Sequence, residues 1–461
     1  MPNHSGPSAG SKPPAPSNPL PNRNRWPIVA STVLVGLLIL VAIGVTLIPT
    51  GDHRALEGRH LAAGLIFAGT YLAVAVGRIP GMGIDRAGIA LVGAALMVAC
   101  GAIPLDEAYK AVDLDTLTLL LGMMIVVAHL RLSGFLSRAT GFIANRAQNP
   151  LLLLIAVIGL AGLLSAFLVN DAICLVMTPL IVEMARSSQR NAVPYLLAVA
   201  MGSNIGSVAT ITGNPQNMII GSISHIPYVD FAAVLSPVAV MGLVLTAILI
   251  GLFYRRDLVA ISTLPVRLPL PDIDPVMGWR AVAGTVILLG LLFAGQPPAK
   301  AAIVIGALLL LTRRIKSQRV YAEIDWSLLL MFAGLFITVS GAERSLLGGD
   351  LAASASSLRL DQIPVLSGVT AIISNLVSNV PAVLLLKPMI ASLPDQRSAW
   401  LTVAMASTLA GNFTVIGSIA NLIVIQGAAA QGVDIGFWDY FKVGAPLTLL
   451  TLIVGTLWLW L

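Results

Sequence analysis

Long apolar segments, almost free of charged residues, constrain this chain more than any other feature. The first of them, 26–48, contains no charged residue at all. At a rise of about 1.5 Å per residue it is long enough to span a bilayer core of about 30 Å. Only 10% of the 461 residues are charged, against roughly a quarter in an average soluble domain. The sequence therefore predicts an all-α polytopic membrane protein and excludes a soluble enzyme, a nucleic-acid-binding module and a disordered chain.

The remaining composition adds few functional signals. Residues 1–25 contain seven prolines and three charged residues, a composition that predicts a disordered tail. The net charge of +6 is scattered between apolar segments and forms no basic face, so no nucleic-acid partner is expected. Cys100 and Cys174 both lie in apolar segments, which indicates neither a disulfide framework nor a metal site. No motif indicates a bound cofactor other than a coupling ion, either a proton or sodium.

Polar interruptions divide three of the apolar segments. Segments 151–182 and 363–392 are too long for one crossing, and each is interrupted near its middle. A helix that enters the membrane, breaks and returns to the same side explains both observations, so we predict two re-entrant helical hairpins. Segment 195–222 is broken by the proline and glycine of 213–217. The hairpin interruptions are Asn170-Asp171 in the first segment and Ser378-Asn379 in the second.

Basic residues indicate which loops face the cytoplasm. Arginines flank the first predicted hairpin on both sides, within 131–146 and 186–190, so both of its ends are expected in the cytoplasm. Two later basic loops, within 255–267 and 313–319, are assigned to the same side. Counting from a cytoplasmic N-terminus predicts eleven transmembrane helices, an external C-terminus, and a location in the plasma or inner cell membrane.

Polar residues recur at a nearly constant spacing along the chain. Three positions of the first hairpin segment match three of the second: 165, 170 and 179 match 374, 379 and 388. Four positions beyond the hairpins also match, 203, 210, 213 and 217 with 407, 414, 417 and 421, and Asp115 matches Asp325. The first hairpin is predicted to open inside and the second outside, which predicts two inverted repeats, an architecture typical of secondary transporters. The predicted parts are a tail (1–25), a first transmembrane helix with its loop (26–60), repeat 1 (61–254), a cytoplasmic linker (255–279) and repeat 2 (280–461).

Amide and hydroxyl side chains are concentrated at the predicted hairpin tips and helix breaks. Broken helices persist in a membrane only where they line a cavity or pack inside protein. Their ends offer N–H and carbonyl groups, and Asn and Ser side chains both donate and accept. These residues are expected to bind a small hydroxylated or anionic solute; the alternative role is to cap the helix breaks. The predicted substrate-binding residues are Asn170, Asn214, Asn217, Ser378, Asn379 and Asn421.

Asp171 is the only carboxylate at the centre of an apolar hairpin, and the matching residue of the second hairpin is Val380. A carboxylate at the bilayer midplane is costly and by default indicates an ion or proton role. We therefore predict that Asp171 is the proton-coupling residue. The alternative is a structural aspartic acid that stays protonated.

The motifs around these residues resemble those of the ion-transporter superfamily of ArsB- and NhaD-like permeases. The resemblance covers about residues 60–461 and is closest to ArsB-type arsenite permeases and plant-type silicic-acid efflux transporters. It implies two hairpins, eleven crossings, an elevator-type movement of a transport domain against a scaffold, and a homodimer. The matching motifs are Asn170-Asp171 with Thr178-Pro179, segment 204–207 with 213–217, segment 374–381, and Gly411-Asn412 with 417–421.

Sodium–dicarboxylate carriers of the same superfamily are more distantly similar. Their hairpin tips carry Ser-Asn-Thr and hold sodium through oxygen atoms. Here the tips read Val-Asn-Asp at 169–171 and Ser-Asn-Val at 378–380, which favours proton coupling. No resident metal ion is expected. The candidate cation sites that the resemblance implies lie near Asn170, Gly213, Asn379 and Gly417.

Together, these observations predict a transporter and not an enzyme. The predicted activity is proton-coupled export of a small inorganic solute, arsenite or silicic acid. The alternatives are a sodium-coupled dicarboxylate or anion transporter, a sodium/proton antiporter and, less favoured, a passive channel.

Overall fold

The structure is a computed structural model that describes residues 53–77, 83–146, 149–259, 274–311, 314–346 and 358–461. Throughout these residues the chain is helical and contains no β-strand. The predicted tail, the predicted first transmembrane helix and most of the predicted linker lie outside the described residues.

The first half of the described chain contains eleven α-helices. They are α1 (His53–Val76), α2 (Arg86–Ala99), α3 (Leu105–Ala111), α4 (Leu114–Leu132), α5 (Phe135–Arg146), α6 (Pro150–Phe167), α7 (Asn170–Ser187), α8 (Val193–Ser207), α9 (Pro215–Ser224), α10 (Tyr228–Phe253) and α11 (Arg255–Val259). A single turn of 3₁₀ helix, Ile211–Gly213, lies between α8 and α9.

The second half of the described chain has a similar order of elements. Its helices are α12 (Pro275–Phe293), α13 (Pro298–Leu310), α14 (Ser317–Tyr321), α15 (Trp326–Leu346), α16 (Ile363–Val377), α17 (Asn379–Ala391), α18 (Gln396–Ala410), α19 (Ile419–Ala429) and α20 (Phe437–Trp460). A second 3₁₀ turn, Val415–Gly417, lies between α18 and α19.

Seven helices in the described residues are long and apolar enough to cross a membrane. They are α1, α4, α6, α10, α12, α15 and α20. Five shorter apolar helices accompany them: α2, α13, α16, α17 and α19. The chain is therefore a multi-pass membrane protein, and the number of eleven crossings stays a prediction.

Aspartate side chains cap matching helices in the two halves. Asp113 Oδ1 accepts a hydrogen bond from the backbone N–H of Thr116 at the start of α4 (3.0 Å). Asp325 Oδ1 accepts one from Leu328 N–H at the start of α15 (2.9 Å). Because the two halves share the position of the cap, Asp113 is the counterpart of Asp325 in the structure. The sequence spacing predicts Asp115 as that counterpart.

Two glycines bring α4 and α15 into backbone contact with short helices of the opposite half. A Cβ atom on Gly122 of α4 would lie 2.5 Å from the carbonyl carbon of Ala302 in α13. A Cβ atom on Gly334 of α15 would lie 2.6 Å from the carbonyl carbon of Ala90 in α2. The two glycines have the same separation in the sequence as the two alanines. Small residues at a close helix crossing are typical of membrane proteins.

The first predicted hairpin corresponds to α6 and α7. Near the start of α6, Tyr195 Oη donates to Pro150 O of that helix (3.4 Å). Near the end of α6, Ala166 O accepts from Thr210 Oγ1, which lies just beyond the end of α8. Since Tyr195 lies at the start of α8, α6 and α8 run parallel. Since α7 joins the end of α6 to the start of α8, it runs in the opposite direction. The turn between α6 and α7 is formed by residues 168–169.

The second predicted hairpin corresponds to α16 and α17, which Ser378 alone separates. Near the end of α16, Asn375 Nδ2 donates to Ala410 O at the end of α18 (3.1 Å). Ser378 has φ +78° and ψ 158°, a region of backbone conformation that is almost exclusive to glycine. Both breaks lie at the polar interruptions from which the sequence predicts them.

Candidate functional site

Two irregular segments interrupt helices behind the hairpin tips. The segment between α8 and α9 covers 208–214. It begins before the break predicted at 213–217, because Pro215 is the first residue of α9 and not an interruption of it. The segment between α18 and α19 covers 411–418 and is its counterpart in the second half. Gly213 and Gly417, predicted to neighbour cations, end the 3₁₀ turns of these segments.

One asparagine in each half holds its irregular segment together. Asn217 Nδ2 donates to Ser207 O and to Thr210 O, both at 3.0 Å. Asn421 Nδ2 donates to Gly411 O (2.8 Å) and Thr414 O (3.2 Å), the carbonyls at the matching positions. Carbonyl groups freed by the breaks are thereby satisfied without water, which is a requirement at membrane depth.

A cleft of about 490 Å³, here called the hairpin cleft, lies between the hairpin tips and the irregular segments. The starts of α7, α9, α17 and α19 all line it. Four helix N-termini therefore converge on one space and direct positive potential and free N–H groups into it. The lining residues are Val74, Arg86, Asn170, Asp171, Pro215, Gln216, Leu328, Met331, Ser378, Asn379, Val380, Pro381, Ser418 and Ile419.

Charge in the hairpin cleft is sparse. Asp171 is the only acidic residue and Arg86 the only basic residue that line it in the described part of the chain. Neither forms an ion pair with a described residue. An unpaired carboxylate at the start of α7 is stabilised by the N-terminal dipole and is available to exchange a proton or to contact a solute.

Buried amides link the first hairpin tip to the second half of the molecule. Asn170 Nδ2 donates to Asn204 Oδ1 (3.1 Å). Asn204 Nδ2 donates in turn to Asn412 Oδ1 (2.9 Å) and Asn421 Oδ1 (3.0 Å), and Ser418 Oγ donates to Asn204 Oδ1 (3.0 Å). A chain of hydrogen bonds of this kind polarises its members and fixes their geometry.

The second hairpin tip is linked by hydrogen bonds to the first half of the molecule. In the amide orientation that satisfies its neighbours, Asn379 donates to Ser407 O (3.1 Å) and Gly417 O (3.2 Å) and accepts from Gln216 Nε2 (3.2 Å). Gln216 Nε2 also donates to Thr408 Oγ1 (3.1 Å). Each hairpin tip is thus linked to the other half of the molecule, the first through Asn204 and the second through Gln216.

Several buried oxygen atoms near the hairpin cleft have no hydrogen-bond partner among the described residues. They include Asn170 Oδ1 at the first tip and Asn217 Oδ1 behind it, together with Asn375 Oδ1 and Ser165 Oγ. A buried acceptor without a partner is costly, and oxygen atoms are the ligands that hard cations prefer. Of these residues only Asn170 belongs to the lining of the hairpin cleft, where its Oδ1 could accept from a hydroxylated solute or contact a small cation.

The predicted site residues divide into two groups in the structure. Asn170, Asp171, Ser378 and Asn379 line the hairpin cleft. Asn214, Asn217 and Asn421 do not line it; they are fully buried and bond to backbone and side chains of the irregular segments.

Sequence reasoning missed Arg86 as a lining residue. The arginine directly precedes a long apolar segment, where it is typical of a topological marker. The sequence contained one signal for a special position: Asp85 and Arg86 are the only adjacent charged residues close to the start of that apolar segment.

Two wider cavities flank the hairpin cleft at matching positions in the two halves. Cavity A (about 1050 Å³) shares Arg86, Leu328, Met331 and Ile419 with the cleft, whereas cavity B (about 980 Å³) shares none of its residues with it. Cavity A is lined by Val76, Gly77, Asp85, Arg86, Ala87, Asp325, Ser327, Leu328, Met331, Ile419, Leu422 and Gln426. Cavity B is lined by Asp115, Leu119, Gly221, Ser222, His225, Ile226, Pro227, Tyr228 and 295–300.

Two hairpins and two broken helices that enclose a polar cleft within apolar helices define a secondary membrane transporter. The chain belongs to the citrate transporter family CitMHS, whose model matches residues 71–410. It is accordingly a transporter and not an enzyme.

Relatives in other organisms are transporters as well. An uncharacterized transporter of Mycobacterium tuberculosis is 29% identical over 420 residues, covering 86% of this chain and 97% of the relative. The silicon efflux transporter LSI3 of Oryza sativa subsp. japonica is 28% identical and covers 82% and 93%. A putative transporter arsB of Dictyostelium discoideum is 24% identical and covers 81% and 86%.

The fold is also similar to a solved transporter structure. The YdaH transporter of Alcanivorax borkumensis superimposes with a TM-score of 0.56 at 14% identity, covering 87% of this chain and 97% of that one. At this identity the similarity concerns the fold alone.

Proposed function

We propose that this protein is a proton-coupled secondary active transporter that exports a small inorganic solute, arsenite or silicic acid. The observation that carries the proposal is the hairpin cleft, in which four helix N-termini and neutral amides surround a single carboxylate. Hydroxyl groups of a small weak acid find both donors and acceptors there. A carboxylate that gains and loses a proton supplies the coupling.

The proposed architecture is a pair of inverted repeats, 61–254 and 280–461, that moves as an elevator within a homodimer. Matching caps, irregular segments and crossed glycine contacts in the two halves support the repeat. With a cytoplasmic N-terminus and eleven crossings, cavity A faces the cytoplasm and cavity B the outside. Because only cavity A shares residues with the hairpin cleft, we assign this conformation to an inward-open state as part of the same proposal.

Each site residue has a proposed role. Asp171 exchanges the coupled proton. Asn170, Ser378 and Asn379 contact the solute. Asn214, Asn217 and Asn421 shape the site indirectly by holding the irregular segments, and the first of them does so through Thr408 Oγ1 of the other half (3.2 Å).

The relatives support the choice of solute. One is named as a silicon efflux transporter and another as a putative arsB transporter, and the chain spans nearly the whole length of each.

A sodium-coupled anion transporter is the second candidate, favoured by two observations. Asn170 Oδ1 and Asn217 Oδ1 are buried and have no hydrogen-bond partner in the described part of the chain. They belong to the region of the proposed cation sites near Gly213 and Asn170. The corresponding sites of the second half lie near Asn379 and Gly417. The family model is described as a citrate transporter.

Transport measurements in reconstituted vesicles, under separate ion gradients, distinguish the candidates. Purified protein is reconstituted, and uphill movement of arsenite, silicic acid and citrate is followed under a proton gradient alone and a sodium gradient alone. We expect uphill movement of arsenite or silicic acid with the proton gradient. Citrate uptake driven by sodium alone would support the second candidate, a sodium–proton exchange without solute would indicate an antiporter, and downhill flux only would indicate a channel.

Replacement of Asp171 by asparagine tests the coupling residue. The amide cannot exchange a proton, so Asp171→Asn should abolish gradient-driven transport while solute exchange at equal pH persists. Asp361→Asn makes the same chemical change at an exposed carboxylate and should transport as the unmodified protein does. Undiminished proton-driven transport in Asp171→Asn would show that another group carries the proton.

A further inference from the structure

Arg86 stands at the junction between cavity A and the hairpin cleft. It is the first residue of α2, it is partly buried, and it lines both spaces. Arg86 therefore belongs to the wall that a solute passing from cavity A to the hairpin tips would meet.

The guanidinium is held in place by packing and not by an ion pair. A Cβ atom built on Gly77 would lie 3.1 Å from Arg86 Nε and 3.2 Å from Nη2, so the group lies against bare backbone. Asp85 accepts from Gly88 N–H (2.9 Å) and Asp325 from Leu328 N–H (2.9 Å), which commits both neighbouring carboxylates to helix caps. Among the described residues Arg86 has neither a hydrogen bond nor an ion pair.

Helix architecture does not account for an arginine at this position. A cation at a helix N-terminus is opposed by the dipole, at a cost of about 0.3–1 kcal/mol. The matching first residue of α13 is Pro298, at the same sequence separation that relates the paired glycines, so the fold accepts a neutral residue there. An arginine that marks only the cytoplasmic side of a helix has no need to line an internal cleft.

We propose that Arg86 binds the solute and selects its negatively charged form, an oxyanion with at least one remaining hydroxyl group. This inference rests on the proposed function, since it concerns the same site. The planar guanidinium offers paired N–H donors that match two oxygens of an oxyanion. The helix N-termini of the cleft favour the same charge, and the amides at the hairpin tips are left to bind the hydroxyl groups.

Binding measurements on the purified full-length chain test this role without any ion gradient. Stabilisation by arsenite is titrated at neutral pH and at alkaline pH, where the solute becomes an anion, for the unmodified protein, Arg86→Gln, Arg86→Lys and Arg319→Gln. Citrate serves as a fully charged probe. The guanidinium stays charged at both pH values. Any effect of Asp171, which lines the same cleft, is also present in Arg86→Gln, so a pH-dependent gain in affinity that this variant lacks reports on the guanidinium and the charge of the solute.

The unmodified protein should bind arsenite more tightly at alkaline pH and should bind citrate. Arg86→Gln should lose roughly ten- to a hundredfold in affinity for the anions, the worth of charge-assisted hydrogen bonds, and should show no gain at alkaline pH. Arg86→Lys keeps the charge without the fork and should fall in between. Arg319→Gln removes one exposed charge from the same predicted side and should behave as the unmodified protein does.

Three results would overturn the proposal. They are equal anion affinity in Arg86→Gln and the unmodified protein, an equal loss in Arg319→Gln, and no charge-dependent binding by the unmodified protein. Unchanged size-exclusion profiles and ligand-free melting temperatures establish that the variants are folded. Because no gradient is involved, failure of proton-driven transport in vesicles would leave this result intact, and the reverse also holds.

Discussion

Ser378 is the residue whose backbone is most unusual in the candidate site. The first hairpin turns through Val169 with φ −59° and ψ 121°, an ordinary conformation, whereas the second turns through a serine at φ +78°. Such a conformation costs a non-glycine residue about 1–3 kcal/mol and persists where function requires it. The hydroxyl group that lines the hairpin cleft is the feature that a glycine would lack.

Substitution of Ser378 separates strain from solute contact. Ser378→Gly should stabilise the protein by about 1 kcal/mol because it relieves the strain, and Ser378→Ala should leave stability nearly unchanged. Both remove the hydroxyl, so both should weaken solute affinity about fivefold, the value of one hydrogen bond. Thermal unfolding in detergent and solute titration provide the two measurements. Full affinity in both variants would exclude a contact between the hydroxyl and the solute.

The sequence indicated which residue types form the site but not which way they point. Asn170 and Asn379 are the first residues of their helices and line the cleft, while Asn217 and Asn421 are the third residues of theirs and bond back to the carbonyls of the breaks. That difference follows from the path of residues 208–214 and 411–418. No local pattern predicts such a path, because tertiary contacts with the hairpins determine it.

At the scale of elements, the helix breaks were predictable and the partners of the helices were not. Polar and proline residues inside long apolar segments are strong signals of a break. The crossed pairing of α4 with α13 and α15 with α2 depends on glycines that in sequence look like any others. The one indication of the shared packing is a spacing. Gly122 and Gly334 are as far apart in the sequence as Ala90 and Ala302, the residues that they contact.

Alanine substitution of these glycines measures how much the crossed contacts contribute. Gly122→Ala and Gly334→Ala should each destabilise the protein by about 1–3 kcal/mol, since the added methyl group meets backbone that cannot move aside. Gly290→Ala in α12 meets nothing within 4 Å and should be neutral or stabilising by up to about 1 kcal/mol. Melting temperatures in detergent are the measurement. Equal effects at all three positions would argue against close packing at the crossings.

At the scale of the whole molecule, cavities A and B define two faces. Ser327 lines cavity A and Ser222 lines cavity B. If the proposed topology is correct, these two serines lie on opposite sides of the membrane, whereas a topology with one crossing more or fewer between them puts both on one side.

Single cysteines at these positions test the topology. In a background with Cys100 and Cys174 replaced by alanine, Ser222→Cys should react with a membrane-impermeant thiol reagent added to intact cells. Ser327→Cys should react only in inside-out vesicles. Both native cysteines are buried, so their replacement should leave the fold intact. Labelling of both positions from the same side would contradict the eleven-crossing topology.

Cavities A and B are chemically unequal, since Arg86 lines one and Pro298 the matching place in the other. The solute reaches the same site from either cavity, and detailed balance applies to both routes. The difference between the cavities therefore does not set the net direction of transport, which the ion and solute gradients determine. What it sets is the solute concentration at which each face is half saturated. Under the proposed topology, the cytoplasmic face would be half saturated at a lower solute concentration than the external face.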